Sequence, residues 1–124
     1  MNPIILLIED DDQVRSLLAD LLRSVGYMVF DLSNGREAAR ICERHQPDLI
    51  VTDIIMPEKD GIEVIIDLRR TYPTLRALAI SGGGVHNREI YLRLAEKLGA
   101  TSTLVKPFTP EAFLRAVREI LERR

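Results

Sequence analysis

The chain has 124 residues, 46% hydrophobic and 29% charged, with a formal net charge of −2 and a single cysteine. That length suits one domain with one substantial core, and a lone cysteine excludes an internal disulfide framework. Lys and Arg are scattered, which leaves no electrostatic case for nucleic acid as a direct partner, and the lack of a long apolar run or a signal segment predicts a cytoplasmic protein with no membrane partner.

Residues 3–8 form a continuous apolar run, the pattern of a strand covered on both faces, and deliver the chain into Glu9-Asp10-Asp11-Asp12. From residue 12, Val14, Leu17, Leu18, Leu21, Leu22 and Val25 recur at helical spacing, and Gly26 is a natural stop. Tyr27 to Leu32 reads as a short strand. Ser33-Asn34-Gly35 then turns the chain into a second helix with Ala38, Ile41 and Cys42 inward, so Cys42 is expected to be a buried, inert thiol. Gln46-Pro47-Asp48 breaks that helix.

Leu49-Ile50-Val51-Thr52-Asp53 is the stretch around which the rest is organised: an apolar strand that ends in an acid and cannot run past Pro57. A polar loop, Glu58-Lys59-Asp60-Gly61, precedes a third helix with Ile62, Ile65 and Ile66 inward, ended by Pro73. Ala77 to Ile80 is the fourth strand, and Ser81-Gly82-Gly83-Gly84 a loop. A fourth helix places Tyr91, Leu94, Ala95 and Leu98 on one face and closes at Gly99. Thr103-Leu104-Val105 is the fifth strand, interrupted by Lys106-Pro107. Thr109 as N-cap and Pro110 at the first helical position open a last helix through Phe113, Val117, Ile120 and Leu121.

Five successive strand–helix units predict an α/β fold, a (βα)5 flavodoxin-like three-layer sandwich with a parallel five-stranded sheet in the order 2-1-3-4-5. In that order the first and third strands are neighbours at the topological switch point. Glu9, Asp10 and Asp53 then converge on one sheet edge, with Ser81 and Lys106 alongside. Carboxylates gathered from two adjacent strands require a compensating cation. Hard oxygen ligands select magnesium or another hard divalent ion such as manganese, with open positions left for water or phosphate oxygens. A lysine and a serine hydroxyl opposite that metal suit phosphoryl transfer to a carboxylate, because no histidine or cysteine closely follows any of these strands.

Over essentially its whole length, residues 1–124, the chain resembles the receiver domain of two-component response regulators. The matching pieces are Glu9-Asp10, Asp53 with Met56-Pro57-Asp60-Gly61, Ser81, and Lys106-Pro107-Phe108, in that order. The resemblance implies Asp53 as phosphoacceptor. It implies a metal site of Asp10, Asp53 and the backbone carbonyl of Ile55, with Glu9 ranked behind Asp10 and acting through water. Ser81 would hydrogen-bond the phosphoryl group and Lys106 would pair with it, approaching over a cis Lys106-Pro107 bond. Asp11 and Asp12 are read instead as helix N-terminal residues favoured by the dipole, Asp60 and Gly61 as turn residues. Gly82 to Gly84 read as a mobile loop in preference to a phosphate cradle, and His45 and His86 as solvent or helix-cap residues.

One departure from the family pattern is Thr103, which stands where receivers usually carry the aromatic half of a switch relay. The expected output route therefore shifts to residues 82–98. Ile55 and Gly83 offer no group to orient water on an acyl phosphate, which predicts dephosphorylation over minutes or longer. The implied function is a phosphorylation-driven switch, not an enzyme beyond its own phosphorylation and slow autodephosphorylation. Its implied partners are a sensor histidine kinase or phosphotransfer protein, an output protein or domain, and a second copy bound through the face of the fourth helix, fifth strand and last helix. A receiver-like interaction module acting without phosphorylation is the alternative. A phosphatase with an aspartyl intermediate ranks last, for want of a second acid two residues after Asp53.

Overall fold

The strands are short runs of apolar and β-branched residues, and their alternation with amphipathic segments is reproduced in space. The computed structural model describes residues 2–54, 61–81, 93, 97 and 101–123, without the side chain of Ile62. Strands β1 (Ile4–Ile8), β2 (Met28–Leu32), β3 (Leu49–Asp53), β4 (Arg76–Ser81) and β5 (Ser102–Val105) pair in parallel in the order β2-β1-β3-β4-β5. This is the predicted topology, and every strand appears within one residue of its expected bounds at either end.

Alternation along the strands sorts the core into two layers. Leu6, Ile8, Ile50, Ala77 and Ala79 pack with Ala38 and Cys42 of α2 (Ala38–His45) and with Val64, Ile65 and Leu68 of α3 (Gly61–Thr71). On the other face Ile5, Leu7, Leu49, Val51, Leu78 and Ile80 meet Leu18, Ala19 and Leu22 of α1 (Asp12–Ser24) and Phe113, Val117 and Ile120 of α4 (Pro110–Glu122). Burial raises the Cys42 thiol to about 11, so the expectation of an inert thiol agrees with its environment.

Local caps explain where the helices begin and end. Asp11 accepts from the Gln13 and Val14 amides at 2.9 and 3.1 Å, and Thr109 accepts from Ala112 at 3.0 Å with Pro110 following it. Gly26 turns the chain after α1 at φ 98°, a left-handed conformation that glycine adopts without steric cost. Gln46 plays the same part after α2 at φ 48°. His45, in the last turn of α2, stacks on Phe30 with ring centroids 4.0 Å apart, a role beyond the solvent or cap position expected for it. The Lys106-Pro107 bond is cis, as anticipated.

The expected face of α1 needs correction. Leu17 and Val25 are exposed, at 57% and 52%, whereas Ala19 is buried. Leu17 and Ala19 flank Leu18 by about 100° on either side of the helix, and the helix turns its smaller side chain toward the sheet. Val25 has left the helical progression as the C-cap. On α3, Val64 and Leu68 join Ile65 in the core, and Ile66 is half-buried. Arg93 and Lys97 are helical and exposed. The rest of the predicted fourth helix, including Tyr91, Leu94, Ala95, Leu98 and Gly99, and the loop residues Gly82 to Gly84 with His86, lie outside the described residues.

Candidate functional site

The sheet ladder continues one residue past the strands at their carboxyl ends. Glu9 N donates to Leu32 O at 3.0 Å, Ile54 N to Ile80 O at 2.8 Å, and Lys106 N to Ser81 O at 2.8 Å. Because Ile8 pairs with Thr52 across β1 and β3, Glu9 and Asp53 come next to each other on that edge. Both are buried, at 2% and 7% exposure. Lys106 Nζ reaches them from the end of β5, at 2.7 Å from Glu9 Oε1 and 2.9 Å from Asp53 Oδ2.

Burial and charge act on these groups in opposite senses. Desolvation is the largest influence on Glu9, and together with the Asp53 charge and a hydrogen bond to Asp10 it outweighs the pull of Lys106, raising Glu9 from 4.5 to about 7. Burial works against the Lys106 ammonium, but its hydrogen bonds to Glu9 and Asp53 and their charges more than offset this and raise its pKa. The lysine therefore stays charged between two acids, as a buried carboxylate pair requires.

The four consecutive acids separate into four roles. Glu9 is buried and ion-paired to Lys106. Asp10 is exposed, and its carboxylate belongs with those of Glu9 and Asp53 to a group whose ligand atoms all lie within 4.8 Å of one another. Asp11 is the α1 cap, and Asp12 pairs with Arg15 at 2.7 Å, both in keeping with helix N-terminal residues. Three hard carboxylate donors at this spacing fit a divalent cation such as magnesium.

Ser81 is fully buried, and its Oγ has no hydrogen-bond partner among the described residues. A buried hydroxyl in that condition can accept a partner from a bound group, a requirement that few native side chains leave unmet. Thr103 sits in β5 opposite Ala79 and is half-buried. Ile55, Met56, Pro57, Asp60 and Gly83 lie outside the described residues, and with them the expected carbonyl ligand.

Two further residues touch the backbone of the site, Arg15 among them without any sequence signal for it. Gly61, read from the sequence as a turn residue within the matching Met56-Pro57-Asp60-Gly61 piece, packs against the end of β3: an added Cβ would collide with the Asp53 carbonyl oxygen and lie 2.9 Å from Asp53 C and Ile54 Cα. Its amide also donates to Ile54 O at 2.6 Å. Arg15 donates from Nη1 to the Glu9 carbonyl at 3.0 Å. Neither contact follows from local periodicity, since each joins a helix residue to backbone at the end of a strand.

Comparison with known proteins agrees with this arrangement. The chain is 36% identical over 123 residues to the alkaline phosphatase synthesis transcriptional regulatory protein PhoP of Bacillus subtilis, covering 99% of this chain and 50% of that protein. It is 31% identical to the chemotaxis protein CheY of Thermotoga maritima, covering 97% of this chain and 98% of that one. The chain spans about half the length of several of the curated relatives it matches. A crystal structure of a putative response regulator from Chloroflexus aurantiacus superimposes with a TM-score of 0.88 at 30% identity, covering 99% of this chain and 100% of that one. CheY4 of Vibrio cholerae does so with a TM-score of 0.86 at 25% identity, over 97% and 99% of the two chains. The response regulator receiver domain family matches residues 5–118, and a chain matched over that span, with this sheet order and this acidic edge, belongs to that family.

Proposed function

We propose that residues 1–124 form one receiver domain that works as a phosphoacceptor switch, with Asp53 as the acceptor. The observation that carries this reading is the Lys106 ammonium held between the buried carboxylates of Glu9 and Asp53, beside the exposed Asp10. A nucleophilic carboxylate, a fixed cation and a group of hard oxygen ligands are the parts phosphoryl transfer needs.

In the proposed reaction an Asp53 oxygen forms a bond to the phosphorus of a phosphohistidine on a sensor histidine kinase or phosphotransfer protein. The P–N bond breaks, and its electron pair stays with the imidazole, which takes up a proton. Lys106 pairs with an oxygen of the transferred group, and Ser81 Oγ donates a hydrogen bond to another. Asp10 and Asp53, with the Ile55 carbonyl and with Glu9 through water, would hold magnesium or manganese, which neutralises phosphoryl charge when bound. Ile55 and Gly83 carry no group to orient an attacking water, so the acyl phosphate persists for minutes or longer.

Phosphorylation shifts a two-state equilibrium and alters the surface offered to an output protein or domain, or to a second copy. Related segments within a transcriptional regulatory protein, a sensor kinase and a chemotaxis protein support partners of this kind. Thr103, at the position of the usual aromatic relay residue, favours an output route through residues 82–98. It is also what sustains the second reading, an interaction module that acts without phosphorylation.

Intact-mass detection after incubation with acetyl phosphate, with and without magnesium, tests the proposal. A magnesium-dependent phosphoryl adduct on the wild type, absent from Asp53→Asn, is the expected result. No adduct, together with no binding of beryllofluoride, would give preference to the interaction module.

A further inference from the structure

Arg15 lies in the first turns of α1, on the side of that helix facing the acidic edge, and its side chain is only 18% exposed. Its three nitrogens meet three separate oxygens, two of them through hydrogen bonds. Nη1 donates to the Glu9 backbone carbonyl at 3.0 Å, Nη2 to Asp12 Oδ1 at 2.7 Å, and Nε lies 3.4 Å from Asp31 Oδ2. Asp31, in β2, is itself held by Arg23 Nη2 at 3.2 Å, and Arg23 also donates to the Val29 carbonyl at 3.0 Å.

The Glu9 carbonyl belongs to the peptide group that leads into Asp10. That group is planar, so holding its oxygen fixes the direction in which the Asp10 backbone begins. On the far side, the Asp11 amide donates to Glu9 Oε2 at 3.4 Å, and the Asp11 side chain is committed to the helix cap. Glu9 and Asp53 are anchored through their own carboxylates to Lys106. Asp10 is the exposed member of the three and has no contact with Lys106 among those described; its carboxylate is placed by a hydrogen bond to Glu9 and by the direction of its own backbone.

We infer that Arg15 is a positioning residue of the acidic site, holding the Glu9–Asp10 peptide so that the Asp10 carboxylate meets those of Glu9 and Asp53 around a divalent cation. The inference rests on the metal-dependent reading proposed above. Arg15 touches neither the cation nor the phosphoryl group in this role. A lysine does not replace it, because one ammonium cannot match a planar fork that reaches three separate oxygens.

The sign of the effect separates positioning from charge. A guanidinium near the site repels a cation, so loss of its charge alone would tighten binding. Loss of positioning weakens it, and outer partners of metal ligands are typically worth 10- to 100-fold in affinity. The test is titration with Mn2+, followed by the electron paramagnetic resonance signal of the free ion, for the wild type, Arg15→Met and Arg15→Lys. Circular dichroism establishes that each variant is folded.

Arg15→Met is expected to raise the Mn2+ Kd about 10-fold, and Arg15→Lys to raise it by a smaller factor. A folded variant that had merely lost stability would keep the wild-type Kd. Unchanged or tighter binding by folded Arg15→Met overturns the inference, as does an unchanged Kd for Arg15→Lys. If Arg15→Met does not fold, the lysine variant decides by the same criterion. A wild type that binds no Mn2+ overturns the metal-dependent reading itself, and this inference with it, before any variant is compared.

Discussion

Lys106 Nζ stands 2.7 Å from Glu9 Oε1, joining residues 97 positions apart in sequence. The contact ties the end of β5 to the end of β1 across the intervening edges of β3 and β4. It is also the reason Glu9 can be almost fully buried, because a buried carboxylate without a partner would be far more costly.

Glu9 should make the protein less stable as the pH rises from about 4.5 to 7. Its folded pKa is raised from 4.5 to about 7, so in that interval the folded state holds a proton that the unfolded state has released. Stability from this group is fully present below the lower value and is lost as the pH climbs through the upper one. The shift corresponds to at most about 3 kcal/mol, at 1.36 kcal/mol per pKa unit. Urea denaturation with chelator present, at several pH values, is expected to show this decline in the wild type and a flatter profile in Glu9→Gln. Parallel profiles would assign the decline to other groups.

Removing the lysine should be most damaging where Glu9 is ionised. Lys106→Met leaves Glu9 and Asp53 buried beside each other without their shared cation. Breaking a buried ion pair from one side typically costs about 3–5 kcal/mol. The loss is expected at pH 8 and should shrink toward pH 5, where Glu9 can take up a proton. Equal losses at both pH values, read from chemical denaturation, would argue that packing of the lysine stem is what matters.

Gly61→Ala should strike the end of β3 through its backbone. The new methyl group would meet the Asp53 carbonyl and Ile54 Cα, neither of which can yield as a flexible side chain would. Overpacking of this kind costs about 1–3 kcal/mol. The expected result is a lower denaturation midpoint together with slower labelling by acetyl phosphate. A variant as stable as the wild type would show that the start of α3 can shift from β3 at no cost.

Much of the fold was legible from the chain alone. Strand and helix periodicities are local, and so are the caps supplied by Asp11, Thr109 with Pro110, and Gly26. Five strand–helix alternations and the preference for right-handed crossovers then leave few sheet orders, of which the observed one was expected. The strand-end positions of Glu9, Asp53, Ser81 and Lys106 followed from the same pattern. The rotation of α1 did not: Leu17 and Ala19 are both compatible with an inward stripe, and only contact with the sheet selects between them.

The sequence by itself determined which residues arrive at the carboxyl edge, because strand length and chain order are set by short-range patterning. Only the tertiary structure decided what each of them does there. Glu9, Asp10, Asp11 and Asp12 are four adjacent acids of nearly the same chemistry, yet one pairs with Lys106, one is the exposed member of the carboxylate cluster, one caps a helix and one pairs with Arg15. Those roles come from burial and from the partners each carboxylate meets. For Glu9 the partner is a lysine from the far end of the chain, which local sequence cannot place beside it.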